Sequence, residues 1–253
     1  MNSTATRPTV GFIGVGLMGH GMAKNIVTKG YPLVVLGHRN REPVEHLKTL
    51  GATEARTPRE LAAQCDIVHL CVTGSPQVEA NLRGPDGVIA GGRPGLVVID
   101  CSTSNPVSTL ALGDELRAAG MNLVDAPLSR TPVEAEAGTL DTMVGGPPEV
   151  FARIEPVLRC WAGQVVHLGP VSLGHKMKLI NNFVAMGYAA LYSEAMAIAR
   201  KAGLSIADPA PYARQPQEAA LLRGALAHGR RVPEARPGDV LIFRMGLFGG
   251  HVG

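Results

Sequence analysis

The stretch GFIGVGLMGH, residues 11–20, sets glycines at 14, 16 and 19 directly behind an apolar run. In a chain with 31 glycines, G-x-G-x-x-G spacing alone says little. Its setting is what makes it informative. Residues 9–13 read as a buried strand, and LMGHGMAKNIVTKG opens a helix that stops at Gly30. In a strand, turn and helix of this kind, Gly14 permits the tight turn and Gly16 lets backbone approach a pyrophosphate. Gly19 allows close helix packing, while the N–H groups around Leu17 and Met18 present the positive end of the helix. The stretch therefore predicts a dinucleotide held at Gly14, Gly16, Leu17, Met18 and Gly19.

About 20 residues further on, an acidic side chain would bond the ribose 2′-hydroxyl of NAD. The sequence there is GHRNRE, residues 37–42. His38 and Arg39 put cations where a carboxylate would stand, and a guanidinium pairs a 2′-phosphate through two parallel N–H bonds. NADP is therefore expected ahead of NAD. Arg41 also reads as part of a solvated basic turn.

Outward from the glycine loop, short β-type runs alternate with helix-length segments up to about residue 170. Strands are expected at 9–13, 31–37, 66–72, 96–101, 122–126, 142–146 and 164–169. Several are continuous apolar runs, as strands buried on both faces should be. The pattern predicts an α/β fold, a Rossmann-type doubly wound parallel sheet over residues 1–170. One helix in it is bounded by Ser104 or Asn105 as cap, Pro106 in the first turn and Gly120 as stop. Residues 171–204 then predict a single long helix, proline-free from Leu173 to Ala202 and apolar on nearly every face, so it is expected to be buried between domains or subunits. A homo-oligomer built through this helix is the corresponding expectation.

Composition removes several function classes. A net charge of +3 with scattered basic residues does not describe a phosphate-tracking surface, so no nucleic-acid partner is expected. Cys65, Cys71, Cys101 and Cys160 have no C-x-x-C spacing, which argues for reduced thiols and no metal site. The N-terminal residues contain no apolar signal region, and Asn181, Asn182 and Glu194 interrupt the apolar stretch 179–199. No membrane partner and a cytoplasmic location are expected.

Four ordered segments carry a family likeness: GFIGVGLMG (11–19), DCSTSNP (100–106), DAPLSRTPVEAEAGTLDTMVGG (125–146) and LGPVSLGHKMKLINN (168–182). In order and spacing they resemble the β-hydroxyacid dehydrogenases. The resemblance implies a Rossmann domain, an interdomain helix and a helical second domain, assembled as dimers or tetramers. It implies hydride transfer between a nicotinamide cofactor and a small carboxylate-bearing semialdehyde or its 3-hydroxy acid. Catalysis falls by resemblance on Lys178 as general acid/base, with Asn182 one helical turn away on the same face. Substrate carboxylate binding falls on Ser129 and its neighbour Arg130, and Ser102 and Thr103 lie where nicotinamide meets substrate. Val72, Thr73 and Gln77 fall at cofactor contacts. The family usually has two glycines after the serine, and Arg130 and Thr131 replace them here. Arg130 there either clamps a carboxylate or narrows the pocket.

The likeness ends near residue 204. Residues 205–253 lack the family's helical pattern and its Lys-Asp pair, and their last part weakly resembles cell-wall cysteine peptidases without a cysteine to partner His251. A chimeric or truncated reading frame is expected from this tail, poorly packed against the rest. A catalytically silent dinucleotide-binding protein is the alternative function it leaves open.

Overall fold

A computed structural model describes residues 7–203. In chain order its elements are β1 (Val10–Ile13), α1 (Gly19–Thr28), β2 (Leu33–Leu36), α2 (Glu42–Thr49), β3 (Thr53–Ala55), α3 (Pro58–Gln64) and β4 (Ile67–Leu70). There follow α4 (Ser75–Leu82), α5 (Val88–Gly91), β5 (Val97–Asp100), α6 (Pro106–Ala118), β6 (Asn122–Asp125), β7 (Leu128–Ser129) and α7 (Pro132–Ala137). The series ends with β8 (Leu140–Gly145), α8 (Pro148–Trp161), β9 (Ala162–Gly169) and α9 (Leu173–Lys201).

The sheet runs β3-β2-β1-β4-β5-β6 with every neighbour parallel. Strand order reverses at β1, which has β2 on one side and β4 on the other, and this opens a crevice at the carboxyl ends of β1 and β4. The four strands β1, β2, β4 and β5 are buried almost end to end, as their largely apolar sequences require, with His69 in β4 and Asp100 at the end of β5 the polar exceptions. Helices on both faces close two cores. Phe12, Met22, Ile26 and Trp161 fill one; Leu61, Leu70, Leu82 and Leu112 fill the other. Each such side chain contributes about 1.5–3 kcal/mol by leaving water.

Beyond β6 the sheet departs from the parallel pattern expected from sequence. β8 runs antiparallel to β6 and to β7, and only β9 is parallel to β8. The six-residue α7 is all the regular structure between β7 and β8, too little for the crossover that a parallel return needs. α6 is bounded as its sequence predicts: the Asn105 side chain accepts from Val107 N–H, Pro106 opens the first turn, and Gly120 follows at φ +73°.

The chain divides into two units, Met1–Phe183 and Val184–Gly253, and the division falls inside α9. α9 has the length expected, and several of its apolar side chains are exposed in the single chain. Phe183 is 81% exposed, Met186 73% and Leu191 70%, with Leu179 also exposed and Met196 half-buried. Among the described residues no helix is long and apolar enough to cross a membrane. The segment 205–253, with His251, lies outside the described residues.

Candidate functional site

The glycine loop joins β1 to α1 at the crevice. Gly14 has φ +96°, and a Cβ there would collide with the Cys71 carbonyl at the end of β4. A Cβ at Gly19 would strike the Gly14 carbonyl and the Phe12 ring. Both glycines are thus needed by the fold itself. Gly16 differs: it is exposed, and a Cβ on it would meet nothing within 4 Å. No side chain caps α1 and no acidic residue stands in its first turn, which leaves the positive helix end open. An uncapped helix start behind a bare glycine fits a dinucleotide pyrophosphate.

After β2 the basic turn separates into two kinds of cation. Arg41 is committed to carboxylates, with Nη1 2.6 Å from Glu54 Oε1 and Nη2 2.8 Å from both Glu54 Oε2 and Glu45 Oε1. His38 and Arg39 remain exposed. Glu54 belongs to β3, so its pairing with Arg41 depends on strand order.

At the ends of β4 and β5, two loops are stitched together. Ser102 is buried, and its hydroxyl accepts from Val72 N–H at 3.1 Å, while Asn105 N–H donates to Ser75 Oγ at 2.7 Å. Thr73, Gln77 and Thr103 are exposed on these loops. Ser102 is therefore engaged with backbone.

Ser129 ends β7, half-buried and in register with Asp141 of β8. Arg130 follows at φ +84°, a left-handed backbone that favours glycine, and its Nε donates to Asp141 Oδ2 at 2.8 Å. Thr131 caps α7 in a reciprocal box with Glu134. Asp141 Oδ1 is buried with no hydrogen-bond partner among the described residues.

α9 begins against the end of β6. Asp125 accepts from Ser172 N–H and His175 N–H, each at 2.7 Å, so a carboxylate from a distant strand caps the helix. Gly174 permits this contact, because a Cβ there would press on the Met143 carbonyl and on Asp125. Burial pushes the Asp125 carboxyl up, against the His175 side chain and the two N–H groups. One turn into the helix, Lys178 is half-buried, and burial pushes its ammonium below the ordinary lysine range. Asn181 Nδ2 lies 3.3 Å from Met143 Sδ, and Asn182, four residues beyond Lys178, is half-buried.

Sequence reasoning missed Asp100, Asp125 and His175. Asp100 and Asp125 close the apolar runs LVVID and NLVD, and a lone carboxylate at the carboxyl end of a buried strand was the available signal.

Residues 9–169 match the family model for the NAD binding domain of 6-phosphogluconate dehydrogenase. A protein of Dictyostelium discoideum described as a probable mitochondrial 3-hydroxyisobutyrate dehydrogenase is 34% identical over 202 residues, 80% of this chain and 63% of that protein. The 3-sulfolactaldehyde reductase of Escherichia coli K12 is 34% identical over 186 residues, 74% of this chain and 62% of the reductase. A crystal structure of a putative oxidoreductase from Mycobacterium avium 104 superposes with a TM-score of 0.76 at 30% identity, over 92% of this chain and 82% of that one. The chain thus spans less than two thirds of the length of those two curated relatives.

Proposed function

The chain belongs to the family of the 6-phosphogluconate dehydrogenase NAD binding domain, and from that premise we propose that it is an NADP-dependent oxidoreductase interconverting a small 3-hydroxy acid and its semialdehyde. Gly14, Gly16, Leu17, Met18 and Gly19 hold the pyrophosphate at the start of α1. Arg39, with His38 beside it, takes the 2′-phosphate, since Arg41 is already spent on Glu45 and Glu54. Val72, Thr73, Gln77 and Thr103 line the path to the reacting end. A bound nicotinamide supplies the hydride.

Lys178 gives a proton to the substrate carbonyl oxygen in reduction and takes it back in oxidation. Its desolvated amine on a helix pinned by Asp125 is the observation that carries this reading. Asn182 orients that amine. Ser129 offers a hydroxyl and backbone donors to the substrate carboxylate. Ser102 acts through its loop. Arg130 stands where the family resemblance implies glycine, anchored by Asp141 through Nε, and its remaining N–H groups favour a substrate with a planar or tetrahedral acid group. The names of the two relatives, a hydroxyisobutyrate dehydrogenase and a sulfolactaldehyde reductase, support that size and charge. The exposed apolar residues of α9 support a homo-oligomer formed along this helix.

The test is Lys178→Ala. Turnover of NADPH with small semialdehydes should fall by about 10²–10⁴-fold while NADPH affinity is retained. A parent chain that binds NADPH and turns over none of these substrates would instead be a silent dinucleotide-binding protein.

A further inference from the structure

α7 has no part in the proposed chemistry, yet it follows Ser129 and Arg130 almost directly, and six residues are too few for a helix to hold itself in water. Its place is set by what it packs on. That is chiefly α1, the helix that opens at the glycine loop. The two backbones touch: a Cβ at Gly21 would come within 2.6 Å of both the Ala135 carbonyl carbon and the Glu136 nitrogen. Gly21 thus admits α7 where any side chain would push it away.

Asn25, one turn further along α1, binds the backbone of α7. Its Nδ2 lies 2.8 Å from the Gly21 carbonyl oxygen, 3.1 Å from that of Ala135 and 3.2 Å from that of Glu136. All three neighbours are acceptors, so the amide must turn its two hydrogens toward them. The Ala135 and Glu136 carbonyls belong to the last turn of α7, beyond the reach of regular helix bonding. Asn25 therefore caps α7 from across the interface. Gly138, at φ +72°, ends the helix there, and a Cβ on it would stand 2.7 Å from Asn25 Oδ1. Alongside, the Glu136 carboxylate accepts from His20 Nδ1 at 2.7 Å and from the Lys24 ammonium. These ion contacts are partly open to water and add little by themselves.

We propose that Asn25 is a positioning residue for the substrate loop 129–131: it fastens α7 to the side of α1, so that a nucleotide ordering the start of α1 also orders the loop that meets the substrate. The path is short. Thr131 caps α7 in its reciprocal box with Glu134, and Arg130, with its left-handed backbone, is the residue before. A loop tied in this way to a six-residue helix moves with that helix, and the helix is held at its far end by Asn25. Naming 129–131 the substrate loop rests on the dehydrogenase reading; the clasp between α1 and α7 does not.

Hydrogen exchange on the full chain, read by peptide mass spectrometry, tests this. Alanine is a good helix former, so Asn25→Ala should stay folded. Without nucleotide, amides of residues 128–139 should exchange about two- to tenfold faster in Asn25→Ala than in the parent, with those of β1 unchanged. Ile26→Val, on the buried face of the same helix, should leave 128–139 unmoved; unchanged exchange in Asn25→Ala, or equal acceleration by Ile26→Val, overturns the proposal. A second arm adds ADP-ribose 2′-phosphate, which carries the pyrophosphate and no nicotinamide. It should slow exchange at 14–20 in both chains and at 128–139 in the parent only. A parent whose 128–139 does not respond while 14–20 does, or a variant whose 128–139 still responds, overturns the coupling. With glyoxylate as substrate, Asn25→Ala should raise KM and lower kcat/KM about tenfold with NADPH affinity within about twofold; an unchanged kcat/KM makes Asn25 merely structural. If the parent binds neither nucleotide nor glyoxylate, the dehydrogenase reading fails, and the first exchange comparison still decides the clasp.

Discussion

Replacing Gly16 with alanine separates what the glycine loop does for the fold from what it does for a ligand. At Gly14 an alanine needs φ near +96° and drives its methyl into the Cys71 carbonyl, and at Gly19 the methyl meets the Gly14 carbonyl. At Gly14 the left-handed backbone alone costs about 1–3 kcal/mol, and at Gly19 the methyl clashes with backbone, so both variants should unfold at clearly lower urea. Gly16 is exposed, and its added methyl meets nothing within 4 Å. Gly16→Ala should therefore change stability by no more than about 0.5 kcal/mol. The same methyl would stand between backbone N–H groups and the pyrophosphate. Loss of one charge-assisted hydrogen bond costs about 1.5–3 kcal/mol, roughly ten- to a hundredfold in Kd. Urea unfolding followed by circular dichroism and NADPH fluorescence titration read the two effects separately. A Gly16→Ala chain that is as stable as its parent and binds NADPH equally well would refute the assignment of the loop.

Arg39→Asp should reverse the preference between the two nucleotides, weakening NADPH and improving NADH, and unchanged relative affinities in paired titrations would remove Arg39 from the 2′-phosphate site. Because burial pushes Lys178 down, reduction, which needs its ammonium, should decline as pH rises through the lowered pKa, and oxidation, which needs the free amine, should rise through the same point; profiles of the same shape in both directions would contradict it. His69, stacked on Phe12 and edge-on to Trp161, is pushed down to about 3 by burial. The fold keeps it neutral while the unfolded chain protonates it below about pH 6.5, so its contribution is complete above that pH and is lost as pH falls toward 3. Between pH 7 and pH 5 this amounts to about 2 kcal/mol, and His69→Phe should flatten that part of the pH dependence of urea unfolding; an unchanged slope would show that His69 does not set it.

What could be read from sequence follows from locality. The glycine loop lies within ten residues, β1, β4 and β5 are largely apolar runs, and the Asn105 cap with Pro106 is a neighbouring pair, so each announces itself. β3 and β7 hold only three and two residues, too few to form a hydrophobic pattern. Which arginine of the turn after β2 stays available depends on Glu54 arriving on β3. Asp125 caps α9 across 47 to 50 positions of chain, and Asp100 meets His175 only because β5 and β6 are neighbours. The left-handed backbone at Arg130 is likewise set by the β7–α7 junction and not by its own residue type. Lys178 could be singled out from its sequence segment, whereas the buried Asp100, Asp125 and His175 could not.

The central claim is that this chain moves hydride to a small acid-bearing aldehyde with Lys178 supplying the proton. Its most direct test follows NADPH absorbance during incubation of the parent chain and Lys178→Ala with glyoxylate and short-chain semialdehydes, with the product acid quantified by mass spectrometry. The account predicts NADPH loss matched one for one by hydroxy acid in the parent, and a loss of rate of about 10²-fold or more in the variant. NADPH consumption that is equal in the two chains, or no hydroxy acid from a parent that binds NADPH, would contradict it.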